Sequence, residues 1–105
     1  MDKRLKISEL LHKIEGVKSE NIYFAPETKN NMTYPCIRYD LSDRNADYAD
    51  NDKYIKRSVY NVIYITRKPS DAINVCNQIE SIRGSEFVRS YVNDGLYHYV
   101  YTITI

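Results

Sequence analysis

The chain has 105 residues, 43% of them hydrophobic and 28% charged, a composition typical of one folded domain with a modest core. Its 15 Lys and Arg against 14 Asp and Glu give a formal net charge of +1, which argues against a protein whose main task is to grip a nucleic-acid backbone. No apolar run approaches the roughly 20 residues of a membrane-spanning helix. Because no apolar segment follows the basic N-terminus, we expect no signal peptide.

Tyrosine and cysteine are the two informative residue types. The chain has 11 Tyr and no Trp. Tyr buries its ring while its hydroxyl stays hydrated, so this excess predicts a sheet with a half-exposed or partner-covered face. Cys36 and Cys76 are 40 positions apart, too few and too distant for a metal site, and we expect two reduced, buried thiols.

Two amphipathic helices are predicted, over residues 3–15 and 70–82. Gly16 and Gly84 follow them, and glycine readily adopts the left-handed conformation that ends a helix. Ser70 or Asp71 is expected to cap the second helix. The first helix has an apolar stripe at helical spacing, formed by Ile7, Leu10, Leu11 and Ile14. The corresponding stripe of the second helix is Ala72, Val75, Cys76, Ile79 and Ile82.

Two short strands are predicted between the first helix and the middle of the chain. Residues 21–25 form one of them, and a polar turn-rich loop follows over residues 26–33. The second strand covers residues 36–41 after Pro35, which can open a strand because its first residue need not donate to the ladder.

Residues 42–53 form the longest predicted loop, and residues 54–66 the longest predicted strand. The loop has four Asp but neither the glycine nor the terminal Glu of an EF-hand, so we interpret it as a solvated hairpin loop and predict no metal site. The strand begins amphipathic and becomes apolar on both faces. It is therefore expected at the centre of the sheet, with one face covered by another subunit.

The C-terminal part is predicted to be a β-hairpin of residues 86–92 and 96–105. Its turn contains Asp94 and Gly95, and Asp-Gly between apolar runs is a strong hairpin signal. The last strand alternates, so its tyrosines at 97, 99 and 101 share one face.

These elements give one domain over residues 1–105, in the order α-β-β-β-α-β-β. We expect a two-layer α+β sandwich in which a mostly antiparallel meander has both helices on one face. The other face would then present Tyr and apolar residues without internal cover, which favours self-association.

The sequence contains no pattern of enzyme chemistry. Phosphate-binding glycine loops, paired Cys-x-x-Cys, zinc-protease and nucleophile-elbow motifs are all absent, and neither a catalytic residue nor a cofactor is predicted. An alternative function is a small nucleic-acid-binding or regulatory module. It would use the Tyr-rich sheet face together with Lys56, Arg57, Arg67 and Lys68, although the glycine-aromatic pattern of RNA-stacking domains is missing.

Nearly the whole chain resembles small bacteriophage tail terminator, or tail completion (head–tail joining), proteins. The resemblance rests on the N-terminal amphipathic helix, Ile22-Tyr23, the strand opening at residues 34–39, the polar loop of residues 47–54, the long strand that follows, the helix from Ser70, and the closing residues 94–99. These strings mark strands and turns and not chemistry.

The resemblance implies a structural role without enzymatic activity or cofactor. Proteins of this family form a ring, commonly hexameric, at the head-proximal end of the tail. The expected partners are further copies of the chain, the tail tube protein and the head–tail connector or stopper protein. DNA would pass through the lumen without sequence-specific binding. The resemblance also implies that the protein assembles in the host cytoplasm, remains in the virion neck and binds no membrane.

The long loop and the start of the strand after it are the predicted interface with a neighbouring subunit or partner. A closed ring needs two different complementary surfaces on each subunit, and a projecting charged segment would supply one of them. The residues predicted to contact the neighbour are Asp47, Tyr48, Asp50, Asp52, Tyr54, Lys56 and Arg57.

Overall fold

A computed structural model describes residues 3–24, 33–47 and 56–105 of the chain. They form two helices and one five-stranded, mostly antiparallel sheet, so the predicted α+β fold and its element order are confirmed. In chain order the elements are α1 (Lys3–His12), β1 (Ile22–Phe24), β2 (Cys36–Asp47), β3 (Lys56–Thr66), α2 (Pro69–Glu80), β4 (Ser85–Asn93) and β5 (Leu96–Thr104).

The sheet has the strand order β1-β2-β3-β5-β4, which places β3 at its centre as predicted. The chain crosses over through α2, so that β5 pairs with β3 and β4 becomes the outer strand. One part of the predicted meander is wrong, because β1 runs parallel to β2. The 11 residues between Phe24 and Cys36 are close to the dozen that a parallel return requires.

Both helices cover the same face of the sheet and share one hydrophobic core with it. α1 contributes Ile7 and Leu11, both fully buried, and α2 contributes Val75 and Ile79. The strands contribute alternate residues, as a pleated sheet requires. The buried strand residues of this cluster are Ile37, Tyr39, Tyr60, Val62, Tyr64, Tyr101 and Ile103.

The prediction of a tyrosine face without cover is therefore wrong. The tyrosines of β3 and the middle of β5 lie beneath the helices, and Tyr64 and Tyr101 are at most 1% exposed. A Tyr ring carries more apolar surface than most side chains, so burying it contributes strongly to folding when the hydroxyl has a partner. Tyr101 has such a partner, because its hydroxyl donates to Glu80 Oε2 at 2.6 Å.

The helix ends differ from the predictions by a few residues. α1 ends at His12, and α2 begins at Pro69, with Lys68 as an N-cap that makes no side-chain hydrogen bond. Ser70 and Asp71 therefore lie in the first turn and do not cap the helix. Proline suits this first helical position because the N–H it lacks would have had no partner there.

The predicted loop over residues 42–53 is partly strand. Residues 42–47 continue β2, and Asn45, Ala46 and Asp47 pair with Ser58, Arg57 and Lys56 of β3 after a register shift. Residues 48–55 lie outside the described part of the chain. The sequence indicated a loop because only Ala46 is apolar among residues 42–47, so no alternation of apolar and polar residues marks this part of the strand.

Candidate functional site

Strand β4 is the most exposed regular element of the described chain. It forms one edge of the sheet, and eight of its nine residues are exposed. Four of these are large apolar side chains: Phe87 is 52% exposed, Val88 51%, Tyr91 40% and Val92 59%. Apolar edge strands of this length are prone to pair with another chain, so β4 is our candidate interaction site.

The hairpin turn determines which backbone groups of β4 point outward. Asp94 and Gly95 have φ angles of 54° and 73°, as in a two-residue hairpin turn, one residue shorter than the predicted turn of residues 93–95. Such a hairpin closes on a hydrogen-bonded pair, here Asn93 and Leu96, after which bonded and non-bonded pairs alternate. At the other end of the hairpin, the Thr104 N–H donates to the Gly84 carbonyl at 3.0 Å. Gly84 and Thr104 are thus a hydrogen-bonded pair, as the alternation requires.

By this alternation, four residues of β4 direct their backbone groups away from β5. They are Val92 and Ser90 and, beyond the register shift between Phe87 and Arg89, Phe87 and Ser85. The N–H of Ser85 already donates to the Ile82 carbonyl at 3.0 Å. The segment after the shift, residues 89–93, is a regular edge that can accept another strand. The shift breaks the edge in its middle, so a partner strand can pair regularly with only a short stretch of β4.

A groove of about 280 Å³ lies between α2 and strands β4 and β5. Ile73, which is 69% exposed, and Phe87 line it together with Cys76, Glu80 and Tyr101. Burial raises the pKa of the Cys76 thiol and of the Tyr101 hydroxyl, which also donates to the Glu80 carboxylate. Both groups are therefore protonated at neutral pH, and the groove can receive an apolar side chain.

The face of the sheet opposite the helices bears a balanced set of charges around a recess of about 670 Å³. Two rows of residues cross β2, β3, β5 and β4 in register. One row has an arginine at each end and consists of Arg38, Ile63, Val100 and Arg89. The next has a carboxylate at each end and consists of Asp40, Asn61, Thr102 and Glu86.

Several side chains of this open face contact one another. Asn61 Nδ2 donates to Asp40 Oδ1 at 3.1 Å. The Arg89 guanidinium lies 5.5 Å from the Tyr91 ring centroid, and Tyr91 stacks on His98 with 4.5 Å between centroids. The open face is thus mixed and close to neutral, unlike the tyrosine surface predicted from sequence.

The residues predicted to form the interface are only partly described. Asp47 ends β2, Lys56 begins β3, and the two pair directly, with Arg57 opposite Ala46. These pairs lie beyond Val59, the first β3 residue that pairs with β5, so within the described residues this ribbon has two strands. Tyr48, Asp50, Asp52 and Tyr54 lie outside the described residues.

The four basic residues of the alternative function are not brought together. Lys56 and Arg57 begin β3, whereas Arg67 and Lys68 follow its end. At about 3.3 Å per residue the two pairs are roughly 35 Å apart. Arg67 lies over the Tyr34 ring, 5.4 Å from its centroid.

The described residues contain no group of three or more His, Cys, Asp or Glu that could hold a metal ion. None of the described helices is long and apolar enough to cross a membrane. Both cysteines are free thiols, Cys36 fully buried and Cys76 partly buried.

Sequence reasoning missed β4 as a candidate site. Its signal was present, because apolar residues occur on both sides of the strand, with Phe87 next to Val88 and Tyr91 next to Val92. Within the described chain, helices cover only one face of this outer strand, so the apolar residues on its other face have no contact with the core.

Comparisons with protein families, with curated proteins and with solved structures found no match to this chain.

Proposed function

We propose that the chain is a non-enzymatic structural subunit of a phage tail, which assembles into a ring at the head-proximal end. The ring, hexameric in the family that the sequence resembles, would end tail-tube growth and join the tail to the head. Its partners would be further copies of this chain, the tail tube protein and the head–tail connector. It would assemble in the host cytoplasm and remain in the virion neck.

The observation that carries this proposal is the exposed apolar edge strand. Four large apolar side chains on β4 remain 40–59% exposed although the helices cover the core of the sheet. Monomeric proteins seldom keep such a patch on an open edge, because it promotes association. Within the described residues, β2 and β3 remain paired as far as Asp47 and Lys56, and this ribbon is our candidate for a second surface, towards the tail tube or the connector.

The near-neutral charge suits a lumen through which DNA slides. With 15 basic and 14 acidic side chains, the subunit gives little net attraction for a phosphate backbone. A strongly basic lumen would hold DNA, so this balance supports passage without tight binding.

Light scattering and electron microscopy of the purified chain, alone and with purified tail tubes, test the proposal. We expect rings in solution or rings seated on tube ends, and tubes of fixed length when the protein is present. A chain that stays monomeric at high concentration and leaves tube ends bare would overturn the proposal.

A salt-dependent nucleic-acid binding assay tests the alternative function. Specific binding at low salt that is lost when Lys56, Arg57, Arg67 and Lys68 are replaced would support it against the ring. The structure gives it little support, since the basic pairs are far apart and the core tyrosines are covered.

A further inference from the structure

The two edges of the sheet are different and run in opposite directions. β1 is parallel to β2, and each later neighbour in the order β2-β3-β5-β4 is antiparallel to the one before it. β1 therefore points the same way as β2 and β5, while β4 points the opposite way. If a neighbouring copy continues the sheet in the same sense, its β1 lies antiparallel to β4, the favoured arrangement for an added strand.

The short strand β1 also fits within the regular part of the β4 edge. β1 has three residues, Ile22–Phe24, and the regular outer segment of β4 covers residues 89–93. Within that segment Ser90 and Val92 direct their backbone groups outward, as required for a short antiparallel pairing. The side chains are compatible as well, because β1 contributes Ile, Tyr and Phe, and Tyr91 and Val92 are exposed on β4.

We infer that the β4 edge of one copy pairs antiparallel with β1 of the next copy, so that the five-stranded sheets join into one continuous sheet around the ring. The inference rests on the proposed ring and specifies its subunit contact. Such a contact is heterologous, because each copy uses β4 on one side and β1 on the other, and only a heterologous contact closes a ring of many copies. A pairing of β4 with a second β4 would be isologous and would stop at a dimer.

Ser90→Pro is the decisive variant. Proline removes the outward N–H of Ser90, which the new pairing needs, and leaves the bonded pairs Tyr91–His98 and Arg89–Val100 of the internal hairpin in place. Ser90→Ala is the matched control, since it removes the same hydroxyl and keeps the N–H. We expect Ser90→Pro to lower the ring fraction at least tenfold at equal protein concentration, and Ser90→Ala to remain within twofold of the wild type.

Mixing the Ser90→Pro variant with the wild type distinguishes a contact between β4 and β1 from a contact between two β4 strands. Ser90→Pro keeps its own β1 edge, so in excess it should occupy the β4 edge of wild-type copies and suppress their rings. Wild-type rings that form undiminished beside excess Ser90→Pro would overturn the pairing of β4 with β1.

Hydrogen exchange on the wild type gives a test that depends on no variant. In rings, the amides of Ser90 and Val92 should exchange at least tenfold more slowly than in monomers, while that of Tyr91 is already bonded within the hairpin. Unchanged exchange at Ser90 and Val92 in rings would overturn the inference and leave the proposed function standing. A wild type that forms no rings, alone or on tail tubes, would overturn both.

Discussion

Gln78 of α2 makes two hydrogen bonds to the backbone of Glu15, 63 positions earlier in the chain. Its side-chain Nε2 donates to the Glu15 carbonyl and its Oε1 accepts from the Glu15 N–H, both at 2.8 Å. The side-chain amide of Gln78 thus bonds to both backbone groups of one residue, as a neighbouring β-strand would, in the turn that follows α1. It fixes the end of the first helix against the second, beside the core contacts of Ile14 and Val75.

Gln78→Glu should destabilise the fold by about 2 kcal/mol at neutral pH. A carboxylate can still accept from the Glu15 N–H, but it cannot donate and would place negative charge against the Glu15 carbonyl. Urea denaturation measures the change. Asn77→Asp adds the same charge one residue earlier on an exposed position, so a loss equal to that of Gln78→Glu would show that helix charge, and not the paired bonds, is responsible.

Gly84→Ala should cost at least about 2 kcal/mol of unfolding free energy. Gly84 has a φ of +91°, and an added Cβ would lie 2.4 Å from the carbonyl oxygen of Thr104, a backbone atom that cannot turn aside. The control is Gly95→Ala at a φ of +73°, where no atom lies within 4 Å and only the backbone strain of about 1 kcal/mol remains. Equal losses in thermal or urea melts would refute the close contact.

Two isoleucines of α2 give a matched test of the groove. Ile79 is fully buried, and Ile79→Ala should cost about 3 kcal/mol. Ile73 is 69% exposed at the groove, so Ile73→Ala should change monomer stability by less than about 0.5 kcal/mol. A large loss of monomer stability from Ile73→Ala would show that the groove is a closed part of the core.

The free energy of unfolding should fall at alkaline pH because the Cys36 thiol is buried in the folded chain. Burial, opposed in part by nearby Arg38, raises the pKa of the Cys36 thiol from 9.0 to about 12. Because the unfolded chain loses this proton first, the thiol's contribution is complete below pH 9 and is lost as pH rises towards 12. Between pH 8 and pH 10 the loss is about 1 kcal/mol.

Cys36→Ala, which cannot titrate, is the comparison for this pH effect. It should lower stability at every pH but decline less steeply than the wild type between pH 8 and pH 10. Parallel curves for the two proteins would contradict the assignment to Cys36.

The elements with clear periodicity were predictable from the sequence. The stripes of the two helices and the turn at Asp94 and Gly95 lie where the pattern placed them, because a short repeat and a turn residue depend on local geometry. The central position of β3 also followed from its length and apolar content. The parallel pairing of β1 did not, since no local pattern encodes the direction of the strand that follows the 11 connecting residues.

The faces of the sheet were the hardest feature to predict. From Val59 to Ile65 both faces of β3 are largely apolar, so alternation alone cannot tell which face the helices cover. The structure buries Tyr64 fully and leaves Ile63 partly exposed, the reverse of a simple hydrophobicity ranking. The candidate site at β4 depends on strand order, which arises from the crossover through α2 and not from any residue of β4.

The central pairing of β3 with β5 also has a consequence for biosynthesis. Val59 pairs with Thr104, so the middle of the sheet joins residues made far apart in time on the ribosome. Until β5 is synthesised, the edge of β3 that pairs with it stays open and its apolar side chains stay exposed. Pairing between segments so distant in sequence is also slow. A nascent chain stalled before Leu96 would therefore be a substrate for chaperones, and synthesis of β5 would limit the rate at which assembly-competent subunits appear.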